Sequence, residues 1–90
     1  MATKLILSHR VKDYNLWRPG FDSDEERRRQ MGFNIEGVYR SLNDENNVTI
    51  IGTVEDVNVM TQMMDNPEMQ RIMEEAGVIS KPEVMLMREA

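Results

Sequence analysis

Two periods of hydrophobic and polar positions divide the chain into strands and helices. Residues 3–11 alternate between two faces, one with Leu5, Leu7, His9 and Val11 and the other with Ile6, Ser8 and Arg10. Alternation with β-branched residues also predicts strands over 33–42, 47–54 and 83–88. The polar segment 43–46 predicts a tight turn, so that the second and third strands form a hairpin.

A helical period begins after the first strand. One predicted face carries Tyr14, Trp17, Phe21, Asp24, Arg28 and Met31, at steps of three and four. Asp13 precedes this stripe as an N-cap, and Gly32 follows it at the C′ position. Pro19 and Gly20 predict a kink, or a first turn that ends near Arg18 and a restart near residue 22 or 23.

A second helical region follows the third strand and is rich in methionine. We expect helices over 57–64 and 67–76, with Thr53 and Asp56 at the spacing of a capping box before the first. Asn66 is a suitable N-cap for the second helix, Pro67 fits its first position, and Gly77 ends it. The Met residues of this region are interpreted as core, or as an adaptable wall for an apolar ligand.

The order β-α-β-β-α-β predicts one ferredoxin-like α+β domain over residues 1–90, a four-stranded antiparallel sheet with both helical regions on one face. The strands carry apolar residues on both faces, so the uncovered face predicts a homodimer. On the second strand, strict alternation places Tyr39 beside the helices with His9 and Trp17. It places Arg40 between two packed sheets, with Glu36 as a candidate partner.

Composition excludes several classes of function. The chain has no cysteine and one histidine, so we expect no thiolate metal site and no histidine cluster. No Gly-rich phosphate loop and no metal-ligand spacing occurs in the sequence, and we expect no cofactor. Residues 1–45 are neutral (eight basic, eight acidic), whereas residues 46–90 carry the net charge of −5 (three basic, eight acidic). Such a domain repels phosphate, which argues against nucleic acid and anionic membrane as partners. With no apolar leader and no membrane-length run, the expected location is the cytoplasm.

The candidate chemistry lies on the predicted helix-covered face. His9 is either a half-buried histidine bonded to backbone or a general base, with a haem ligand as a further alternative. Tyr14, Trp17 and Phe21 are either core residues or a stacking surface for a flat ligand. Asp24 and Arg28 either lie in solvent beyond the kink or form a polar patch that holds a ligand oxygen.

The chain also resembles a known superfamily. The resemblance rests on the segments Val11-Lys12-Asp13-Tyr14, Trp17-Arg18-Pro19, Phe21-Asp22, Val38-Tyr39-Arg40-Ser41, Asn47-Val48-Thr49, Ala76-Gly77-Val78 and Pro82-Glu83. It is similar to small bacterial proteins of the dimeric α/β-barrel superfamily, which includes the antibiotic-biosynthesis-monooxygenase-like domains. This resemblance implies a ferredoxin-like fold and pairing into a dimeric barrel. It implies no single activity, because members range from cofactor-free oxygenation to no known reaction.

Two hypotheses of function remain open. The first is a cofactor-independent, monooxygenase- or cyclase-like enzyme acting on a small aromatic or polyketide-like molecule in a cavity between the first helix and the sheet. Tyr14, Trp17 and Phe21 would bind the ring, His9 would move a proton, and Tyr39 would donate to an oxyanion. The second is a non-catalytic dimer that binds a small hydrophobic molecule or has a regulatory role. Closed packing around Trp17 argues against a ligand site at that place.

Overall fold

The computed structural model describes residues 3–90, which form a four-stranded antiparallel sheet covered by four helices. The elements are β1 (Thr3–Arg10), α1 (Tyr14–Ser23), α2 (Glu25–Gln30), β2 (Phe33–Arg40), β3 (Asn47–Val54), α3 (Val57–Asp65), α4 (Pro67–Glu75) and β4 (Glu83–Met87). The strand order is β2-β3-β1-β4, with every neighbouring pair antiparallel. The predicted ferredoxin-like α+β fold is confirmed, and each predicted helical region consists of two helices.

The hydrophobic core lies between the helices and one face of the sheet. Alternating residues of β1 and β3 form its floor, because the side chains of an extended strand point to opposite faces. Leu5, Leu7, Val48, Ile50 and Val54 are all buried in this way. Trp17 of α1 and Met60 of α3 cover them from the helical side. In the described residues, no helix has the length and apolar character that a membrane span requires.

The predicted face from Tyr14 to Met31 stays on one side of the first helical region, although the helix is interrupted later in the sequence than predicted. The helix α1 continues through Pro19 to Ser23, and Asp24 separates it from α2. The predicted alternative of a first turn that ends near Arg18, with a restart at residue 22 or 23, is therefore wrong. The amide missing from Pro19 would bond to the carbonyl of Asn15, and since Asn15 is exposed, water can satisfy that carbonyl. The six stripe residues are each buried or half-buried.

The caps of the helices follow the sequence closely. Asp13 accepts a hydrogen bond from Asn15 N, and Asn66 accepts one from Glu68 N, both at 2.9 Å. Gly32 and Gly77 end their helical regions at φ values of 86° and 98°, which the left-handed C′ position requires. The predicted role of Thr53 is wrong, because β3 continues past it and Asp56 is the N-cap of α3.

A bulge in β2 reverses the predicted faces of the residues that follow it. Ile35 pairs with Gly52, but Gly37 pairs with Ile51, so Glu36 is an extra residue on β2. The alternation therefore shifts by one position from Gly37 onwards. As a result Val38 and Arg40 lie on the helix-covered face, and the placement predicted for Arg40 between two sheets is wrong.

Candidate functional site

His9 lies near the end of β1 on the helix-covered face, as predicted. It is the next inward-facing residue of β1 after Leu7, and its side chain is 5% exposed. Its ring meets the ring of Trp17 edge-on, with centroids 5.5 Å apart and an angle of 79° between the planes. The strand alternation of β1 and the first turns of α1 together bring these two residues into contact.

The imidazole of His9 is buried without a polar partner for one of its nitrogens. Within residues 3–90, His9 Nδ1 has no hydrogen-bond partner. Burial lowers the pKa of His9, because the charged form is costly to hold away from water. His9 is therefore neutral at pH 7, a state in which a histidine can accept a proton or a hydrogen bond.

The aromatic residues of α1 form a closely packed ladder beside His9. The rings of Trp17 and Phe21 are stacked with centroids 4.8 Å apart, and Tyr14 and Trp17 are 6.0 Å apart. The guanidinium of Arg28 lies 3.7 Å from the centre of the Phe21 ring, and that of Arg40 lies 4.0 Å from the centre of the Tyr14 ring. The ladder thus ends in a cation–π contact on each side, which ties it to α2 and to β2.

Asp24 and Arg28 do not pair with each other. Asp24 accepts a hydrogen bond from Arg27 at 2.6 Å, while Arg28 Nη1 donates to the carbonyl of Phe21 at 2.7 Å. Arg28 is half-buried, whereas the side chain of Asp24 remains 43% exposed. Burial lowers the pKa of Arg28, and the nearby carboxylates oppose this effect. Arg28 thus holds the last turn of α1 against α2.

Tyr39 lies on the opposite face of the sheet from His9 and Trp17. It pairs with Thr49, which alternates with the buried Val48 and Ile50, and its side chain is 56% exposed. Its ring lies over Gly37, where a β-carbon would stand 2.7 Å from the nearest ring atom. The placement of Tyr39 beside His9 is therefore wrong, because the bulge at Glu36 shifts the alternation. The only sequence signal was a glycine inside a strand.

A cleft that the sequence did not predict lies between α4 and the segment before β4. Ser8 pairs with Glu83 and Val11 with Val78, so two residues of the β1 side face four residues of the other segment, 79–82. The two extra residues form a bulge, held by bonds of 2.9 Å from Ile79 N to Arg10 O and from Arg10 N to Ser80 Oγ. Pro82 has no amide hydrogen to continue the ladder. This bulge lies directly opposite His9 along β1.

The cleft is half-open and measures about 880 Å³. Its walls consist of Met64, Asp65, Gln70, Met73, Glu74, Val78, Ile79, Ser80, Lys81, Pro82 and Val84. A second, smaller cleft of about 290 Å³ lies between α2 and the helices α3 and α4. Neither of these two clefts is lined by the ladder residues or by His9. Across residues 3–90 no three acidic or histidine side chains converge as metal ligands do.

No protein-family model matches the chain, and no curated protein sequence does. Solved structures do match it over nearly the whole length. A protein from Bordetella bronchiseptica, provisionally named an antibiotic biosynthesis monooxygenase, has a TM-score of 0.76 at 14% identity, covering 99% of this chain and 97% of that one.

Two further solved structures resemble the chain. A conserved protein from Methanosarcina mazei has a TM-score of 0.71 at 17% identity, covering 100% of this chain and 94% of that one. SnoaB, described as a cofactor-independent oxygenase from Streptomyces nogalater, has a TM-score of 0.67 at 13% identity, covering 99% and 95%. The chain therefore has, over its full length, the ferredoxin-like fold of antibiotic-biosynthesis-monooxygenase-like proteins.

Proposed function

We propose that the protein binds a small, largely apolar molecule in the cleft between α4 and the segment before β4. The observation that carries this proposal is the cleft itself, whose volume of about 880 Å³ is within the range of small-molecule sites. Met64 and Met73 offer flexible walls that adapt to a ligand, and Val78 and Val84 complete an apolar surface. Five polar side chains at the same cleft are available to orient the ligand.

The packing of the ladder supports binding in the cleft over catalysis beneath α1. Trp17 is 5% exposed, stacks on Phe21 and has the tilted ring of Tyr14 beside it. Tyr39, the oxyanion donor in the hypothesis of catalysis, lies on the other face of the sheet. Within residues 3–90, His9 thus has aromatic neighbours, and its Nδ1 has no hydrogen bond to a second polar group.

Fluorescence of the neutral dye Nile red tests the cleft. We expect the dye to brighten on binding, and Ile79→Asp to weaken that binding, because Ile79 lines the cleft and is 63% exposed, so the change leaves the core intact. Leu42→Asp is the matched control, since Leu42 is fully exposed and lies outside the cleft. Equal dye binding by both variants and the native chain would contradict the cleft as the ligand site.

A second candidate function is a cofactor-independent oxygenase that acts on an activated aromatic molecule. It is favoured by the neutral, buried His9 with an unpartnered Nδ1, in a fold shared with SnoaB. In the oxidation of an anthrone-type methylene, O₂ places one oxygen atom in the new carbonyl and releases the other as water with both hydrogens. His9 would take the first proton from the substrate. This function requires the Trp17 ladder to open.

Oxygen consumption with dithranol, an anthrone, tests the second candidate. His9→Gln keeps a polar group of similar size but removes the base, so turnover should fall by about 10²-fold or more. Trp17→Phe should weaken substrate binding with a smaller effect on turnover. Turnover that survives both substitutions would rule out this site for the reaction.

We also propose that the protein forms a homodimer through the outer face of the sheet. Its apolar residues include Ile6, Ile51, Met85 and Met87, and Met85 is 55% exposed in the single chain. Lys4 and Glu36 pair with each other, so their charges cancel. Glu83 adds one charge near the edge of this face, and the apolar residues at its centre fit a second copy of the same face about a two-fold axis. Light scattering at micromolar concentration should give twice the monomer mass, and a stable monomer would contradict the dimer.

A further inference from the structure

The two walls of the α4 cleft differ in their hydrogen-bonding chemistry. The helical wall carries Asp65 at the end of α3 and Gln70 and Glu74 one turn apart on α4. Gln70 Nε2 donates to the carbonyl of Met64 at 3.3 Å, which leaves the amide oxygen of Gln70 as an acceptor. The helical wall therefore presents three acceptor groups, two of them negatively charged.

The two carboxylates of this wall, Asp65 and Glu74, differ in their ion pairing from Glu68 and Glu75 of α4. Glu68 and Glu75 both form salt bridges with Arg71 on another side of the helix. In the part of the chain that the structure describes, Asp65 and Glu74 take part in no salt bridge and no side-chain hydrogen bond. Their acceptor capacity is thus open to a group that enters the cleft.

The opposite wall carries the donors. Ser80 Oγ already accepts from Arg10 N, so its hydroxyl hydrogen remains free to donate, and Lys81 adds one positive charge. The charges of Asp65, Glu74 and Lys81 sum to −1 in the cleft, within a half-chain whose net charge is −5. This field attracts a cation and repels an organic anion.

We propose that the ligand of this cleft is an apolar amine, bound in its protonated form. The ammonium group lies between Asp65 and Glu74, and its three hydrogens match the three acceptors of the helical wall. The alkyl or aryl body lies on Met64, Met73 and Val84, away from Lys81. This assignment rests on the proposed function, since it names the chemical class of ligand for the same cleft.

Three probes of equal apolar size test the charge preference. They are 4-phenylbutylamine, 4-phenylbutan-1-ol and 4-phenylbutanoate, compared by calorimetric titration at pH 7. We expect affinity to fall from the amine to the alcohol to the acid. Added salt should weaken binding of the amine and leave binding of the alcohol unchanged, because screening acts on charges alone.

Charge-removing substitutions locate the ammonium group. Glu74→Gln and Asp65→Asn should each weaken the amine by about two- to fivefold, as expected for one exposed ion pair, and leave the alcohol unchanged. Glu75→Gln is the control, because this substitution removes the same charge from the same helix at a residue that lies outside the cleft. If Glu75→Gln weakens amine binding equally, the effect comes from the net charge of the protein rather than from this site, and the assignment is overturned.

The outcomes separate this inference from the proposed function. Equal binding of all three probes, each weakened by Ile79→Asp, would keep the cleft as a ligand site and refute the amine. Tightest binding of the acid would refute it as well. Binding of none of the probes, together with no response of Nile red to Ile79→Asp, would refute both proposals.

Discussion

At the scale of the residue, His9 combines burial with an unsatisfied polar atom. A buried nitrogen without a hydrogen-bond partner costs about 1–3 kcal/mol of stability. The surrounding aromatic rings of α1 give it no such partner. A leucine at this position would have similar volume and would leave no polar atom unsatisfied.

The first prediction concerns pH and His9. Because burial lowers the pKa of His9, the unfolded chain takes up the proton first as pH falls. The stability contributed by neutral His9 is therefore complete above the unfolded pKa of 6.5 and decreases as pH falls below it. Urea unfolding between pH 7.5 and 5 should show this loss in the native chain. His9→Leu should be at least as stable at pH 7 and should lack this part of the pH dependence.

At the scale of the element, the bulge in β2 depends on a glycine in the neighbouring strand. A β-carbon on Gly52 would stand 2.3 Å from the carbonyl oxygen of Asn34, which is backbone and cannot rotate away. The bulge between Ile35 and Gly37 thus requires the smallest residue on β3 at this register. Gly20, in the exposed part of α1, has no atom within 4 Å of the equivalent position.

Matched glycine substitutions check this account. Gly52→Ala should destabilise the protein by about 1–3 kcal/mol, because the sheet must shift to relieve the clash. Gly20→Ala should stabilise it by about 0.5–1 kcal/mol, because alanine favours the helix and restricts the unfolded chain. Denaturant unfolding of both variants measures the two effects. A neutral Gly52→Ala variant would show that the strands separate there at little cost.

The junction of α3 and α4 depends on one side chain. Asn66 ends α3 and caps α4 through its bond to Glu68 N at 2.9 Å. Asn66→Ala should cost about 1 kcal/mol, equivalent to a fall in melting temperature of about 4–8 °C for a domain of this size. Asn58→Ala on the exposed side of α3 is the control, and a similar fall there would contradict the capping role.

At the scale of the whole molecule, β4 is the element least covered by its own chain. Every residue of β4 is exposed, and four of the five are apolar. The strand lies at an edge of the sheet and carries no proline or lysine to block further association. In the proposed dimer, a second copy on the outer face would cover Met85 and Met87.

The fourth prediction tests whether a second copy of the chain covers the outer face of the sheet. The melting temperature of a dimer rises with protein concentration, since a hundredfold dilution lowers apparent stability by about 2.7 kcal/mol. Met85→Asp should yield a monomer by light scattering, with a lower melting temperature independent of concentration. Leu16→Asp, at a residue 76% exposed on α1, should keep the native behaviour. Dissociation by both changes, or by neither, would argue against the outer face as the interface.

Local signals were sufficient for most of the fold. The sequence by itself determined the elements, because each of its signals acts within a few residues. These signals are the N-caps Asp13 and Asn66, the C′ glycines Gly32 and Gly77, and the periods of apolar residues. Helical spacing likewise predicted that Tyr14 and Trp17 face the sheet, whereas for Asp24 and Arg28 the sequence left open whether they face it or lie in solvent.

Only the tertiary structure decided the register of the strands and what it produces. The bulge at Glu36 exchanged the faces of Tyr39 and Arg40, and the two extra residues in 79–82 opened the cleft beside α4. Both features arise from pairing with strands distant in sequence. The backbone there must match partners that no local pattern identifies, so a shift of one residue moves every following side chain to the opposite face.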